Sequence, residues 1–187
     1  MRSNNCPMRI MARWHNNGDF MQKTINKLVL ATAFVCGSIG ASAQGKAIPK
    51  WKLADLEAAM AAPDRPTVIN FWATFCKPCI AEIPYFQELV KRYDSAGVRL
   101  LLVSLDLTEA YPKLPAFAKK RGFTAPIVFL DETNADRFCP PVDPKWSGSI
   151  PATLFLNPAT GYRAFYEEGL SKERFHQELK KLVAPKP

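Results

Sequence analysis

One stretch of the sequence constrains the fold more than any other: a short apolar strand that runs into a helix opened by a cysteine. Residues 67–72 (TVINFW) are mostly β-branched, aromatic or aliphatic, which is typical of a strand buried on both faces. From Cys76 to about Tyr93 the apolar residues recur three or four positions apart, which predicts a helix. Such a strand-to-helix step favours a sheet of parallel strands covered by helices.

Strands and helices alternate along the rest of the chain. Further strands are predicted at 98–105, 126–130, 152–156 and 162–167, and further helices at 53–62, 111–121 and 171–183. A hairpin-like turn at 157–161 joins the last two strands, and the polar, proline-rich residues 131–149 are predicted to form a connection. This order predicts an α/β fold, with a central mixed β-sheet flanked by helices on both faces.

The first 43 residues have the pattern of a bacterial export signal. Basic residues after Met21 precede a 13-residue apolar run at 28–40, and the small residues Ala-Ser-Ala follow it. We predict cleavage after Ala43, an exported or periplasmic location, and a mature domain of residues 44–187. An uncleaved anchor helix is the alternative, although the run is shorter than the roughly 20 residues of a membrane span. Met21 is an alternative translation start, because residues 1–20 are polar and patternless.

Much of the positive charge belongs to this leader. The whole chain has 25 basic and 17 acidic residues and a net charge of +8. Removing residues 1–43 takes away five basic residues and one acidic residue, which leaves +4 on the domain. The remaining basic residues are scattered, apart from a cluster at 119–121, so the sequence does not indicate a nucleic-acid partner.

The C-x-x-C motif stands where cysteine chemistry is favoured. A thiolate on Cys76 would face the unpaired amides and the positive dipole of a helix N-terminus, which lower a thiol pKa. Cys79 follows one turn later, close enough to close a disulfide. Pro78 is tolerated in a first helical turn, and Lys77 adds a nearby positive charge. We expect Cys76 to attack a partner's disulfide and Cys79 to resolve the mixed disulfide.

Other uses of these cysteines are weaker hypotheses. A zinc site needs about four ligands, and the domain adds only Cys139 and His176 to the pair. A structural disulfide across so short a loop would gain little chain entropy. Cys139 is expected to be a partly buried cysteine without a role, with a third redox cysteine as the alternative. No metal is expected, and no cofactor other than the redox-active disulfide Cys76–Cys79.

Residues 70–79 (NFWATFCKPC) resemble the active-site signature of the thioredoxin superfamily. They are most similar to its exported TlpA/ResA-like branch, in which N-F-W-A-T/S-W-C-x-P-C-x-x-E-x-P is typical, and Glu82 and Pro84 stand at the matching offsets. Phe75 departs from the pattern, because many relatives have tryptophan there. The resemblance covers residues 51–183 and implies a thioredoxin-like fold.

The resemblance also implies roles for residues near the cysteines. Asn70 stands where thioredoxins proper carry an aspartate, and an amide cannot shuttle a proton at physiological pH. Glu82 is therefore the candidate for proton handling, with an ordinary solvated glutamate as the alternative. Ile150–Pro151 resembles the cis-proline pair whose backbone receives the substrate chain. Trp72 could shield the disulfide or belong to the core, and together with Lys77 and Pro78 it is a candidate for substrate contact.

For function, the resemblance implies a thiol-disulfide oxidoreductase that reduces protein disulfides, for example in cytochrome c maturation. The implied partners are protein thiol or disulfide clients and a membrane thiol-electron donor. The chain itself would meet the membrane only through an uncleaved signal anchor. A periplasmic oxidase or isomerase and a redox-inactive binding module are the alternatives. A peroxiredoxin would need a P-x-x-x-T-x-x-C pattern before the nucleophile, and Cys76 is not preceded by one.

Overall fold

A six-stranded mixed sheet organises the part of the chain that the computed structural model describes, residues 47–186. Its strands are β1 (Lys50–Trp51), β2 (Thr67–Trp72), β3 (Arg99–Ser104), β4 (Ile127–Leu130), β5 (Ala152–Asn157) and β6 (Tyr162–Tyr166). Five α-helices accompany them: α1 (Leu53–Ala61), α2 (Lys77–Lys91), α3 (Leu114–Arg121), α4 (Ala135–Val142) and α5 (Lys172–Val183). The predicted leader, the cleavage after Ala43 and the alternative start at Met21 lie outside the described residues.

The strand order is β1-β4-β3-β2-β5-β6, which puts β2 in the interior of the sheet. The first four strands of this order are parallel, whereas β5 runs antiparallel to β2, and β6 runs antiparallel to β5. All six residues of β2 are buried, as the apolar run at 67–72 predicts. The predicted mixed sheet with helices on both faces is confirmed.

The two faces of the sheet carry separate hydrophobic cores. Val68 and Trp72 point into the core formed with α2, α3 and α5, whereas Ile69 and Phe71 point into the core formed with α1 and α4. This alternation follows from the two-residue period of a strand. By the same period Asn70 faces α2, which brings a polar side chain under the helix that Cys76 opens.

The prediction for residues 131–149 is wrong in part, because this stretch contains α4. The Asn134 side chain caps the helix by accepting the Asp136 amide at 3.0 Å. Phe138, Cys139 and Val142 are buried, and they pack into the core shared with α1. Prolines 140 and 141, which argued against a helix, occupy its last turn.

Two smaller differences lie at element ends. The two-residue strand β1 was not predicted, since it is too short for any period to show. The helix predicted at 111–121 begins as a 3-10 turn, Thr108–Lys113, and becomes α-helical only at Leu114.

None of the helices within 47–186 combines the length and apolar character of a membrane span.

Candidate active site

The C-x-x-C pair forms a disulfide at the start of α2. The Cys76–Cys79 sulfurs are 1.98 Å apart, and the two Cα atoms are 5.3 Å apart. Cys76 is the N-cap residue of the helix, and its Sγ accepts the Cys79 amide at 3.3 Å. Cys76 is 7% exposed and Cys79 is fully buried. Cys76 is therefore the sulfur that an incoming partner reaches first.

A buried aspartate holds the loop before Cys76. Asp106 accepts the Thr74 amide at 3.0 Å, the Thr74 hydroxyl at 2.5 Å and the Ser104 hydroxyl at 2.8 Å. Ser104 ends β3, next to the strand that leads into the loop. These bonds tie the loop to the carboxyl end of the neighbouring strand. Sequence reasoning missed Asp106, although an acidic residue directly after a buried parallel strand is a usable signal.

Glu82 is buried one turn beyond Cys79, with 2% of its surface exposed. Its Oε1 accepts the Asn70 side-chain amide at 2.9 Å, and its Oε2 accepts the Leu170 backbone amide at 3.2 Å. Desolvation raises the pKa of this carboxyl to about 7, against the opposing effect of both hydrogen bonds. A group with this pKa can take up and release a proton near neutral pH. The alternative of a solvated helix glutamate is wrong, because the side chain is buried.

Asn70 joins the three elements around Glu82. Besides the glutamate, its amide group donates to the Thr153 hydroxyl on β5 at 3.1 Å. Its own Oδ1 is buried and has no hydrogen-bond partner among the described residues. The asparagine therefore fixes the position of the glutamate side chain.

The Ile150–Pro151 peptide bond is cis, as the resemblance implied. Pro151 is buried directly before β5, which pairs with β2. A Cβ atom added to Gly169 would lie 3.7 Å from Pro151 Cγ and 3.8 Å from Glu82 Oε2. The segment at 169–170 thus closes around both the proline and the glutamate.

The segment that leads to Ile150 is anchored by one carboxylate. Glu167 accepts the backbone amides of Ser147 and Ser149, both at 3.0 Å, and the Ser147 hydroxyl. Trp146 Nε1 donates to the Ser149 carbonyl at 2.9 Å. Sequence reasoning did not identify Glu167, whose position after β6 gives no local signal for contacts about 20 residues away.

The remaining candidates differ in accessibility. Lys77 and Pro78 are exposed beside Cys76 and can contact a partner. Trp72 is fully buried and packs against Phe117 and Phe123, with ring centroids 6.2 and 5.3 Å away. The expected substrate contact of Trp72 is therefore not available in this structure, and its packing is that of a core residue.

Cys139 is buried in α4, with 3% of its surface exposed. Desolvation, helped by the charges of Glu167 and Asp136, raises the pKa of this thiol to about 11. The environment is that of an unreactive core cysteine. Within 47–186, the His, Cys, Asp and Glu side chains form no group of three that could hold a metal ion.

Comparison with known sequences identifies the family. The AhpC/TSA family model matches residues 40–161. The thiol-disulfide oxidoreductase ResA of Geobacillus thermodenitrificans is 30% identical over 148 residues, which cover 76% of this chain and 79% of that protein. ResA of Oceanobacillus iheyensis is 31% identical over 128 residues, which cover 68% of this chain but 59% of that protein.

Comparison with solved structures supports the same fold. A thioredoxin-related protein from Neisseria meningitidis serogroup B superposes with a TM-score of 0.55 at 22% identity, over 65% of this chain and 87% of that one. A thiol:disulfide interchange protein of the thioredoxin family from Chlorobium tepidum gives a TM-score of 0.52 at 20% identity, over 64% and 81%. The chain belongs to the AhpC/TSA family of the thioredoxin superfamily, and within it to the TlpA/ResA-like thiol-disulfide oxidoreductases.

Proposed function

We propose that this chain is an exported protein-disulfide reductase that acts by dithiol-disulfide exchange, for example on apocytochromes c before haem attachment. One observation carries the proposal: the Cys76–Cys79 disulfide caps α2, and a buried carboxyl follows one turn later. The signal-like pattern of residues 21–43 supports export. The family membership supports the exchange chemistry.

The exchange has two steps. The Cys76 thiolate attacks one sulfur of a client disulfide, so a Cys76–client bond forms and the client's other sulfur leaves as a thiolate. The Cys79 thiolate then attacks Cys76 Sγ, which forms the Cys76–Cys79 disulfide and releases the second client sulfur. Two electrons pass from the cysteine pair to the client.

Glu82 serves the second step. Cys79 is buried, and burial favours the neutral thiol over the thiolate that must attack. The Glu82 carboxyl, with its pKa near 7, lies one helical turn away and is suited to take the proton. In the reverse reaction it returns the proton to Cys79.

The direction depends on which charges act on the Cys76 thiolate. The helix N-terminus and Lys77 stabilise the thiolate and so favour the reduced form, which makes the disulfide form a stronger oxidant. The buried carboxyl groups of Glu82 and Asp106 oppose them, because negative charge in a low-dielectric interior destabilises a second anion. We propose that the carboxyl groups prevail and that the protein is a reductant.

A reductant of this kind needs its own electron supply. Besides the two cysteines of the disulfide, the only other cysteine among the described residues is Cys139, which is buried. We therefore propose that a membrane thiol-electron donor reduces the pair after each turnover. The clients are proteins that carry an accessible disulfide.

The reduction potential of the pair tests the direction. The protein is equilibrated in a series of thiol redox buffers, trapped with an alkylating agent, and scored for the reduced pair. A reductase should titrate as one two-electron couple near or below about −270 mV, the value for thioredoxin. A potential near the roughly −120 mV of a strong oxidant would overturn the reductase proposal in favour of an oxidase or isomerase.

The same titration on Cys79→Ser is the matched control. This variant should form a lasting mixed disulfide through Cys76 and lose the two-electron couple. If wild-type protein shows no couple either, the chain is a redox-inactive binding module and the proposed activity is wrong.

A further inference from the structure

Two large apolar side chains stand out against the rest of the surface. Within residues 47–186, Phe75 is 70% exposed and Leu107 is 62% exposed, and these are the two large apolar side chains that the fold leaves in solvent. Both line the same pocket, and Phe75 directly precedes Cys76. Exposed apolar side chains that converge on one concave site indicate a binding surface.

The pocket has a volume of about 420 Å³. Phe75 and Leu107, Phe138 of α4, and Ile150 with the segment before it all line this pocket. This volume is at the lower end of the roughly 300–1,000 Å³ of small-ligand pockets, which suits one or two large side chains of an extended segment.

Hydrogen bonds hold two of the segments that line the pocket in place. Asp106 fixes the loop that carries Phe75 through the amide and hydroxyl of Thr74. Glu167 fixes the segment before Ile150, which also lines the pocket, through Ser147 and Ser149. A pocket whose walls are held in this way binds without first having to be ordered.

The charged residues that line the pocket are both acidic. Glu132 forms an ion pair with Arg137 at 3.1 Å, whereas the hydrogen-bond partners of Asp106 are the uncharged Thr74 and Ser104. An acidic side chain brought into the pocket would meet this negative charge in a partly buried site. Neutral apolar side chains avoid that repulsion.

We propose that this pocket is a client subsite: it takes a large apolar side chain, aromatic or aliphatic, from the residue next to the client cysteine that reacts with Cys76, and it rejects an acidic one. The assignment rests on the proposed function. In the mixed disulfide the client sulfur is bonded to Cys76 Sγ. The client residues next to that cysteine therefore lie close to the pocket, because Phe75, which lines it, directly precedes Cys76. The subsite therefore selects among clients by the residue beside their cysteine.

Short cysteine peptides test this selection. Each peptide carries thionitrobenzoate on its cysteine through a mixed disulfide, and the neighbouring residues are Phe, Gly or Glu. The Cys76 thiolate of the reduced full chain attacks the peptide sulfur and expels thionitrobenzoate as a coloured thiolate. Cys79 then attacks Cys76 and frees the peptide thiol, so the cysteine pair supplies two electrons. The readout is the ratio of the rate constants between peptides, measured for each protein separately.

The wild-type protein should react about tenfold faster with the Phe peptide than with the Gly peptide, and more slowly with the Glu peptide than with either. A ratio near one for wild type overturns the subsite while the proposed activity stands. If no peptide reacts at all, the proposed activity itself fails.

Variants assign the preference to the pocket. Phe75→Ser and Leu107→Ser should each bring the Phe-to-Gly ratio below about threefold, whereas Phe75→Trp, which keeps a large apolar side chain, should retain it. Val183→Ser is the control, because it removes a partly buried apolar side chain at the end of α5. This end of the helix lies next to Asn157, at the far end of β5 from Pro151. The variant should keep the wild-type ratio. An unchanged ratio in both serine variants of the pocket would contradict the assignment even if wild type prefers Phe.

Discussion

At the scale of single residues, two buried carboxyl groups near the disulfide, those of Glu82 and Asp106, differ in the number of hydrogen-bond donors around them. Glu82 faces the Asn70 amide and one backbone amide, and burial dominates its pKa. Asp106 gathers three donors from two strand ends and acts as a structural anchor. A carboxyl with few donors in a buried place is suited to exchange protons, whereas one with many donors is suited to hold a loop.

The raised pKa of Glu82 has a consequence for stability. Its folded pKa is about 7, against an ordinary value of 4.5, so between these values the folded protein binds more protons than the unfolded chain. The stabilising contribution is complete below the lower pKa and is lost as the pH rises through the upper one, in total about 3 kcal/mol. Between about pH 5 and pH 8, the free energy of unfolding of wild-type protein should therefore fall by about 2–3 kcal/mol relative to that of Glu82→Gln. Urea unfolding of the oxidised forms at several pH values measures this difference.

A glutamate on the surface provides the control for this experiment. Glu57 on α1 is exposed, and Glu57→Gln should keep the pH dependence of wild type. A stability difference between wild type and Glu82→Gln that stays constant with pH would show that Glu82 does not titrate in this range.

The third cysteine of the domain is predicted to be inert. At about pH 8 a thiol of pKa about 11 is thiolate in roughly one molecule in a thousand. Cys139 should therefore be alkylated by iodoacetamide at least about a hundredfold more slowly than Cys76 in the reduced native protein, as measured by mass spectrometry of the digested chain. In denaturant the two cysteines should react at similar rates. Comparable rates in the native protein would restore Cys139 as a third redox cysteine.

At the scale of elements, the segment before Pro151 depends on one residue at the end of β6. Glu167→Ala should free the amides of Ser147 and Ser149, and we expect their hydrogen exchange to speed up roughly tenfold, as for the loss of charge-assisted hydrogen bonds in a partly exposed place. Amides in β2 should keep their protection. The neighbouring Glu168 is exposed and contacts only Arg174 at 4.0 Å among salt-bridge partners, so Glu168→Ala is the matched control. Equal exchange in both variants would rule out the anchoring role.

The elements also show how far local patterns reach. Strand β2 was predicted to the residue, and Ser171 was predicted as the cap that begins α5, because a continuous apolar run and a serine cap are signals of neighbouring residues. Helix α4 was missed, because Pro140 and Pro141 suggested a loop while its stability comes from burying Phe138 and Val142 in a distant core. The same limit applies to Glu167, whose partners are close in space only.

At the scale of the whole molecule, the strand order explains why the burial of Glu82 could not be predicted from the sequence, although the position of the cysteines could. The strand-helix step that places Cys76 at a helix N-terminus is local, so the sequence already contains it. Burial of Glu82, by contrast, requires β2, β5 and the segment at 169–170 to meet around α2. The motif resemblance pointed to Glu82, but only the assembled fold shows why its carboxyl would hold a proton near pH 7.

The redox state of the cysteine pair should also change the free energy of unfolding of the domain. In a closed thermodynamic cycle, the difference in unfolding free energy between the oxidised and reduced forms equals the difference in reduction free energy between the folded and unfolded protein. A drop of about 30 mV in the folded protein's potential relative to the unfolded pair makes the oxidised form more stable by about 1.4 kcal/mol.

If Glu82 and Asp106 destabilise the Cys76 thiolate, as the proposed reductase requires, the oxidised form should unfold at the higher urea concentration, by at least about 1 kcal/mol in free energy at neutral pH. The double variant Cys76→Ser, Cys79→Ser should show no such dependence on reductant. A reduced form that is the more stable of the two would mean that the helix N-terminus and Lys77 outweigh the carboxyl groups. The protein would then be an oxidant, because a stabilised thiolate is what makes a dithiol hard to reoxidise.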